Sequence, residues 1–344
     1  MFKKIDTYLV LSEDNRFYFT GFHSSFGCVI LTETEKYFLT DPRYASEARK
    51  LVSGFNILTT GGAAFYDDIV KVLKKVNARN VGYEDDYVTV AGFKKLKAAL
   101  DGFSLKAASA DFAEARVVKS EGEIQKIANA EIVTQKALLK TLPLLKYGVT
   151  EKDISNEITY QMLSLGAEGL AFENIVAFGV NTANPHHHPS MKRLEKNDMV
   201  TFDIGAKVNG YCGDMTRTFC MGTPLDKLSK IHNIVLEAQS YALNNLKAGM
   251  TGREAHLLAG EYITAHGYGE EFTHSLGHGL GVVVHEAPYL SPRSEDVLKE
   301  NMVVSVEPGI YVDGLGGVRI EDIVVIKNDG VVNLTTLVDK SINL

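Results

Sequence analysis

Four acidic residues of this chain sit where strands are expected. Asp203 in VTFDIG, Asp214 in GDMTRTF, Glu307 in VVSVEPG and Glu321 in VRIEDIVVI interrupt or end apolar, β-rich runs. Taken singly, an Asp before Gly is commonly a turn residue and a Glu before Pro-Gly a loop acid. Together they are harder to place, because a buried carboxylate is costly unless it is paired or bound to a cation. Arg217 and Arg319 lie nearby in sequence and can neutralise two of the four, so salt bridges are the competing account. A metal centre explains all four with fewer partners.

The histidines narrow the chemistry. His274–Glu286 reads HSLGHGLGVVVHE, and the four-residue step from His274 to His278 invites a helical zinc pair. Gly277, Gly279 and Gly281 oppose that helix, and HEXXH is absent. A structural zinc site wants cysteines or several histidines, whereas Cys28, Cys212 and Cys220 form no CxxC. Several carboxylates with one imidazole suit two hard or borderline divalent ions: manganese, cobalt, iron or zinc.

An internal echo links the acids. NDMVTFDIG (197–205) resembles NMVVSVEPGIY (301–311), each placing an acid, one residue and a glycine after a β-like run. A second acid follows in each half, Asp214 and Glu321. A shared scaffold alone does not require carboxylates at matching places.

The elements that must position these residues fall into two regions, 1–115 and 116–344, with the boundary between Phe112 and Ser120. The first reads as an α/β unit. The runs TYLVL, RFYFT, FGCVIL and KYFLT predict strands in a mixed sheet, with later strands at NVGYE and FSLKAA. Helices are expected after Pro42 and through Ile69, Val70, Leu73 and Val76. In the second region, Ser120-x-x-Glu123, Thr150-x-x-Asp153 and Thr251-x-x-Glu254 are capping boxes that open helices. The first runs through Ile124, Ile127, Glu131 and Leu138 to a stop or kink at Pro143. Gly166 and Gly267 are helix stops, and Thr223-Pro224 opens a helix through Leu228, Ile231, Val235 and Leu246.

Bulk composition excludes other classes. A net charge of −7 and a pI of 5.8 argue against a nucleic-acid surface. Tyr8–Leu11 is too short an apolar run for a signal-peptide core, and nothing approaches a membrane span. Three cysteines cannot all pair, which points to a reducing cytoplasm.

FDIG, GDMTRTF, HSLGHGLG, VEPGIY and VRIEDIVV, in this order and spacing, resemble the metal-ligand motifs of the prolidase and aminopeptidase P family. Residues 15–48 resemble the N-terminal domain shared by prolidases, aminopeptidase P and creatinases, and RVVKSEGEIQKIANA resembles the family's interdomain helix. The resemblance implies a creatinase/prolidase-type α/β N-terminal domain and an α+β pita-bread catalytic domain. It implies two divalent metal ions, manganese first, with Asp203 on one, His278 and Glu307 on the other, and Asp214 and Glu321 bridging. His186, in NPHHHP, matches the family histidine near the substrate carbonyl, and His285 the one that contacts substrate. His187 and His188 are expected to be loop residues, and His274 to support the surroundings of His278. Arg319 matches an arginine that holds a carboxylate or the substrate, and Glu307 a proton carrier. Thr216 is expected to bond a ligand, and Tyr211 to pack in the core.

The implied reaction is hydrolysis of the Xaa-Pro bond by water at the dinuclear site, in a cytoplasmic homodimer acting on proline-containing peptides. A dipeptidase must also hold proline's free carboxylate, for which Arg43, Arg193 and Arg293 are candidates. An Xaa-Pro aminopeptidase on longer peptides is the neighbouring alternative, and a non-catalytic pita-bread binding module the alternative of another class. Creatinase lacks the carboxylate set, and methionine aminopeptidase lacks the N-terminal domain. Few residues precede NRFYFTGF, so the resemblance implies an N-terminal domain trimmed at its start.

Overall fold

The computed structural model describes residues 4–343, and the chain divides after Arg116 into two compact units. In the first, strands β1 (Thr7–Val10), β2 (Cys28–Thr32), β3 (Lys36–Thr40), β4 (Asn56–Thr59), β5 (Asn80–Tyr83) and β6 (Ser104–Ala107) form one sheet in the order β4-β3-β2-β1-β5-β6. The sheet is mixed: β1–β2 and β2–β3 run antiparallel, and β3–β4, β1–β5 and β5–β6 parallel. Helices α1 (Glu13–Thr20), α2 (Pro42–Leu51), α3 (Phe65–Lys75), α4 (Val90–Ala99) and α5 (Ser109–Val117) complete the unit. Its sheet carries a separate apolar cluster on each side, one with Phe38 and Phe112, the other with Ile30, Ile69 and Leu73.

One expected strand is a helix. RFYFT lies in α1, where Ser12 caps the start by accepting from the Asn15 N–H, and Gly21 (φ 67°) closes the end in the left-handed region. Glu13 and Asp14 suit the positive start of the helix. Buried Asn15 donates to Glu84 Oε1 at 2.6 Å, and Arg16 to the Ser24 carbonyl at 2.5 Å. Caps and tertiary bonds outweigh the β preference of the aromatics.

The second unit begins with α6 (Glu121–Thr141) and α7 (Glu151–Ser164), followed by β7 (Gly169–Leu170), β8 (Ile175–Phe178), β9 (Met199–Ile204), β10 (Ala206–Val208), β11 (Tyr211–Cys212) and β12 (Met215–Cys220). It continues through α8 (Asp226–Asn245), α9 (Gly252–Ala265), β13 (Gly277–Gly279), β14 (Glu286–Leu290), β15 (Val303–Val306), β16 (Gly309–Val312), β17 (Gly316–Arg319), β18 (Asp322–Lys327) and β19 (Gly330–Asn333). All three capping boxes form, and α6 gives way to a short 3-10 turn at Leu142–Leu144, where Pro143 cannot continue it. Among the described residues no helix is long and apolar enough to cross a membrane.

The sequence echo is an echo of backbone. β9 pairs antiparallel with β12, and β15 with β18. Asn197 and Asn301, at equivalent places before β9 and β15, both take φ 67°. Each donates its N–H to a carbonyl at the far side of its pair, Met221 at 2.8 Å and Ile326 at 2.9 Å. One apolar cluster joins the first strand pair to α6 and α7, and another joins the second pair to α8 and α9. Each helix pair covers one strand pair, so the unit is two similar halves.

Arg217 ties these halves together. Its guanidinium, 1 % exposed, donates to the Thr216 and Glu321 carbonyls (2.9 and 2.6 Å) and to Asp322 Oδ1 (2.9 Å). Lys340 also meets Asp322. Breaking a buried pair strands the surviving charge. Arg217→Met should therefore lower unfolding free energy by about 3 kcal/mol or more in chemical denaturation; an unchanged midpoint would show that Lys340 suffices.

Candidate metal centre

The two strand pairs present their acids at equivalent ends. Asp203 lies in β9 opposite Thr216, and Asp214 immediately precedes β12. Glu307 immediately follows β15, and Glu321 immediately precedes β18. His278 is the central residue of β13, which pairs with both β14 and β15. Ligand atoms of Asp214, His278 and Glu321 lie within 4.8 Å of one another. His278 Nε2 stands 3.2 Å from Glu307 Oε1 and 3.7 Å from Asp214 Oδ2. Two adjoining cavities of about 220 and 240 Å³ share His186, His278 and His285; Asp203, Asp214 and Glu321 line the first, Glu307 and Arg319 the second.

The glycines beside His278 have a packing cause. A Cβ on Gly277 would stand 2.0 Å from the Ser305 carbonyl oxygen, and one on Gly279 2.3 Å from that of Ala287. The two glycines thus leave room for the neighbouring strands. The His278 N–H donates to Ser305 Oγ at 3.0 Å, and Ser305 Oγ donates to Glu307 Oε1 at 3.0 Å. His278 Nδ1 faces the Gly279 carbonyl at 3.1 Å. That acceptor favours a proton on Nδ1 and turns Nε2 toward the carboxylates.

Electrostatics make the cluster unbalanced. Arg319 pairs with Asp203, and its Nε donates to Thr216 Oγ1 at 3.1 Å. Thr216 Oγ1 in turn donates to Glu321 Oε2 at 2.8 Å. The expected second neutraliser, Arg217, is committed to Asp322 instead. Among the described residues, the Asp214 carboxylate has the His278 ring as its basic neighbour, and Glu321 Oε1 is buried without a hydrogen-bond partner. Burial, then repulsion from the neighbouring carboxylates, pushes Asp214 and Glu321 well above the usual carboxylate range. Burial also raises Asp203, against the pull of Arg319. Glu307 goes the other way: burial raises it, but the His278 bond and surrounding positive charge outweigh that and hold it at about 2. An orphaned carboxylate oxygen among converging acids and one imidazole fits divalent cations.

Several residues around the acids carry more than the sequence disclosed. Tyr311 is half-buried, its hydroxyl 2.6 Å from Arg319 Nη1, which donates to it, and 3.0 Å from His274 Nε2. Burial pushes the phenol up to about 12, so it stays protonated. His274 thus supports Tyr311 and Arg319, with its other nitrogen against the Ser275 carbonyl, rather than His278. The Tyr in VEPGIY was the available signal. Glu131, on the buried face of α6, accepts from the Asp214 N–H at 2.6 Å. Burial raises it to about 8.

His285 packs its ring 4.3 Å from that of His278, and burial, then His278, lowers its pKa. His186 projects from the loop between β8 and β9, where its N–H donates to Asn184 Oδ1 at 3.1 Å. His187 and His188 lie in the loop as expected; His187 also meets buried Glu151 at 2.8 Å, while His188 is exposed. Tyr211 bonds Glu123 and lies under Lys126. Arg193 donates to the Gly148 carbonyl, and neither it nor Arg293 lines either cavity; Arg319 does. Arg43 is exposed and paired with Asp41.

Residues 125–328 match the model of metallopeptidase family M24, and residues 2–118 that of the Creatinase/Prolidase N-terminal domain. The chain is 37 % identical to an Xaa-Pro dipeptidase of Pyrococcus furiosus over 331 residues, 96 % of this chain and 93 % of that protein. Its fold is similar to a solved Xaa-Pro dipeptidase from Bacillus anthracis (TM-score 0.94, 40 % identity, 99 % and 95 % of the two chains). It is comparably similar to a solved X-Pro aminopeptidase from Thermotoga maritima (TM-score 0.93, 38 % identity, 99 % and 98 %).

The raised carboxyls set a sign for cation binding. Asp214 and Glu321 hold protons to higher pH than ordinary carboxyls, and a cation needs the ionised form. Adding a divalent cation to chelator-treated protein near neutral pH should release protons. Titration calorimetry in buffers of different ionisation enthalpy reads this directly; identical heats in every buffer would mean both groups are already ionised.

Proposed function

From the premise that this chain belongs to metallopeptidase family M24, with a Creatinase/Prolidase N-terminal domain ahead of a pita-bread catalytic domain, we propose that it hydrolyses the Xaa-Pro bond, foremost in dipeptides. The observation that carries this reading is the convergence of four carboxylates and His278 beside cavities lined by His186, His285 and Arg319. Relatives named Xaa-Pro dipeptidase support it along 96 % of the chain. In the proposed division, residues 1–115 form the N-terminal domain and 116–344 the catalytic domain.

Asp203 would hold one divalent cation, His278 and Glu307 the other, with Asp214 and Glu321 shared. Bound there, such ions supply Lewis acidity at the scissile carbonyl and an acidified water. The chain's own groups do the rest. Glu307 receives the water proton and passes it to the departing proline nitrogen, which as a tertiary amide carries no N–H of its own. His186 and His285 donate hydrogen bonds to the carbonyl oxygen as negative charge builds. Arg319, held by Tyr311 and Thr216, fixes Asp203 and offers positive charge beside the second cavity. That position makes it a better holder of a substrate carboxylate than Arg43, Arg193 or Arg293.

We assign manganese as the first choice of native ion, on the oxygen-rich donor set. A cytoplasmic homodimer completes the reading; the buried thiols of Cys28 and Cys220 suit a reducing compartment. An Xaa-Pro aminopeptidase is the second reading, favoured by the similarity to the Thermotoga maritima enzyme.

Two measurements test this. Asp203→Asn and Glu321→Gln should each lower kcat/KM at least about a hundredfold; full activity with normal metal content would remove both from the ligand set. Assays titrated with manganese or cobalt should show Xaa-Pro dipeptides cleaved at least about tenfold better than Xaa-Pro-Yaa tripeptides. Comparable rates would assign the aminopeptidase.

A further inference from the structure

His186 sits in a stretch with little regular structure of its own. Between β8 and β9 the backbone forms only a 3-10 turn at Gly179–Ala183 before entering the loop NPHHHPS. Something outside the loop must fix it if His186 is to face both cavities in one place. From outside, Arg319 Nη2 donates to the Pro185 carbonyl at 3.3 Å, and within the loop Asn184 Oδ1 accepts from the His186 N–H. Neither binds the stretch on both sides of His186.

Glu151 does. It is the first residue of α7, and its carboxylate is fully buried. Oε1 accepts from the Phe178 N–H and Asn181 Nδ2, both at 2.8 Å. Oε2 accepts from the Ser190 N–H at 2.9 Å and Ser190 Oγ at 2.5 Å, and meets His187 Nε2 at 2.8 Å. One oxygen therefore anchors the chain before His186 and the other the chain after it. Burial raises the carboxyl, but the bonds from Ser190 and His187 outweigh it and keep it below the usual range, so it accepts as an anion. Charge-assisted bonds of this kind are stronger than neutral ones.

We propose that Glu151 is a positioning residue for the reaction: its carboxylate, gripping Phe178 and Asn181 with one oxygen and His187 and Ser190 with the other, holds His186 over the site. This rests on the reading of His186 as a substrate-facing donor. A purely structural clamp would stabilise the fold without acting through His186, and a double-mutant cycle separates the two.

In the manganese-loaded enzyme, Glu151→Gln should lower kcat on an Xaa-Pro dipeptide by about ten- to a hundredfold, with KM changed less than about threefold. Circular dichroism and metal content should match the parent. His186→Ala should cost a similar factor, and adding Glu151→Gln to it should cost no more than about twofold further. Losses that multiply in the double variant overturn the proposal. Ser190→Ala and His187→Gln each remove one bond to Oε2, on the side of the grip that follows His186, and serve if Glu151→Gln does not fold; they should show the same dependence on His186. Hydrogen exchange supplies a readout that needs no turnover. Exchange faster only within residues 178–190 of these variants supports the clamp, and unchanged exchange there overturns it. A parent enzyme that cleaves no Xaa-Pro dipeptide overturns the proposed activity alone, and the exchange result still decides the role of Glu151.

Discussion

Bringing carboxylates together out of water is the constraint on which the catalytic unit depends. Asp203, Asp214, Glu307 and Glu321 repel one another, and burial strengthens the repulsion by removing solvent screening. The chain answers part of it. Arg319 faces Asp203, and His278 faces Glu307. The surplus falls on Asp214 and Glu321, which burial and then the neighbouring carboxylates push well above the usual carboxylate range. A binding centre for cations is thus prepared as an imbalance that folding does not relieve.

Such an imbalance survives only if the backbone cannot relax. Two strand pairs, each backed by its own helices, fix where the acids emerge. Arg217 lies between them and uses backbone carbonyls of both pairs as acceptors. Its pairing with Asp322 explains why it does not quench the acids it neighbours in sequence. Glu131 reaches from α6 to the Asp214 N–H and to Thr335. Thr216 touches both Arg319 and Glu321, so the same hydroxyl steadies the charge that is neutralised and one that is not.

Much of this was legible in the sequence because it is local. Capping boxes, glycine stops and the kink at Pro143 are short-range signals, and each appears where the spacing predicts it. The echo of 197–205 in 301–311 marked the two matching strand pairs, and the structure adds an Asn in the left-handed region at the start of each. What escaped is set by contacts distant in sequence. RFYFT lies in a helix where the preceding Asn15 is held by Glu84 and Arg16 by the Ser24 carbonyl. Arg217 finds Asp322 rather than a site acid across a gap of about a hundred residues. Nothing near His187 in sequence announces its partner Glu151, and Tyr311 gains meaning only beside Arg319.

The register of the strand pairs has a further consequence. Asp203 stands opposite Thr216, and Val306 opposite Asp322. Side chains alternate faces along a strand, so a slip of one residue would carry Phe202 to the acid's side and drive Asp203 into the apolar core. Packing and chemistry therefore read the same alignment. A misaligned chain fails to pack in the same event that leaves it inert, and quality control that senses exposed apolar surface also screens, without extra machinery, for a correctly wired site.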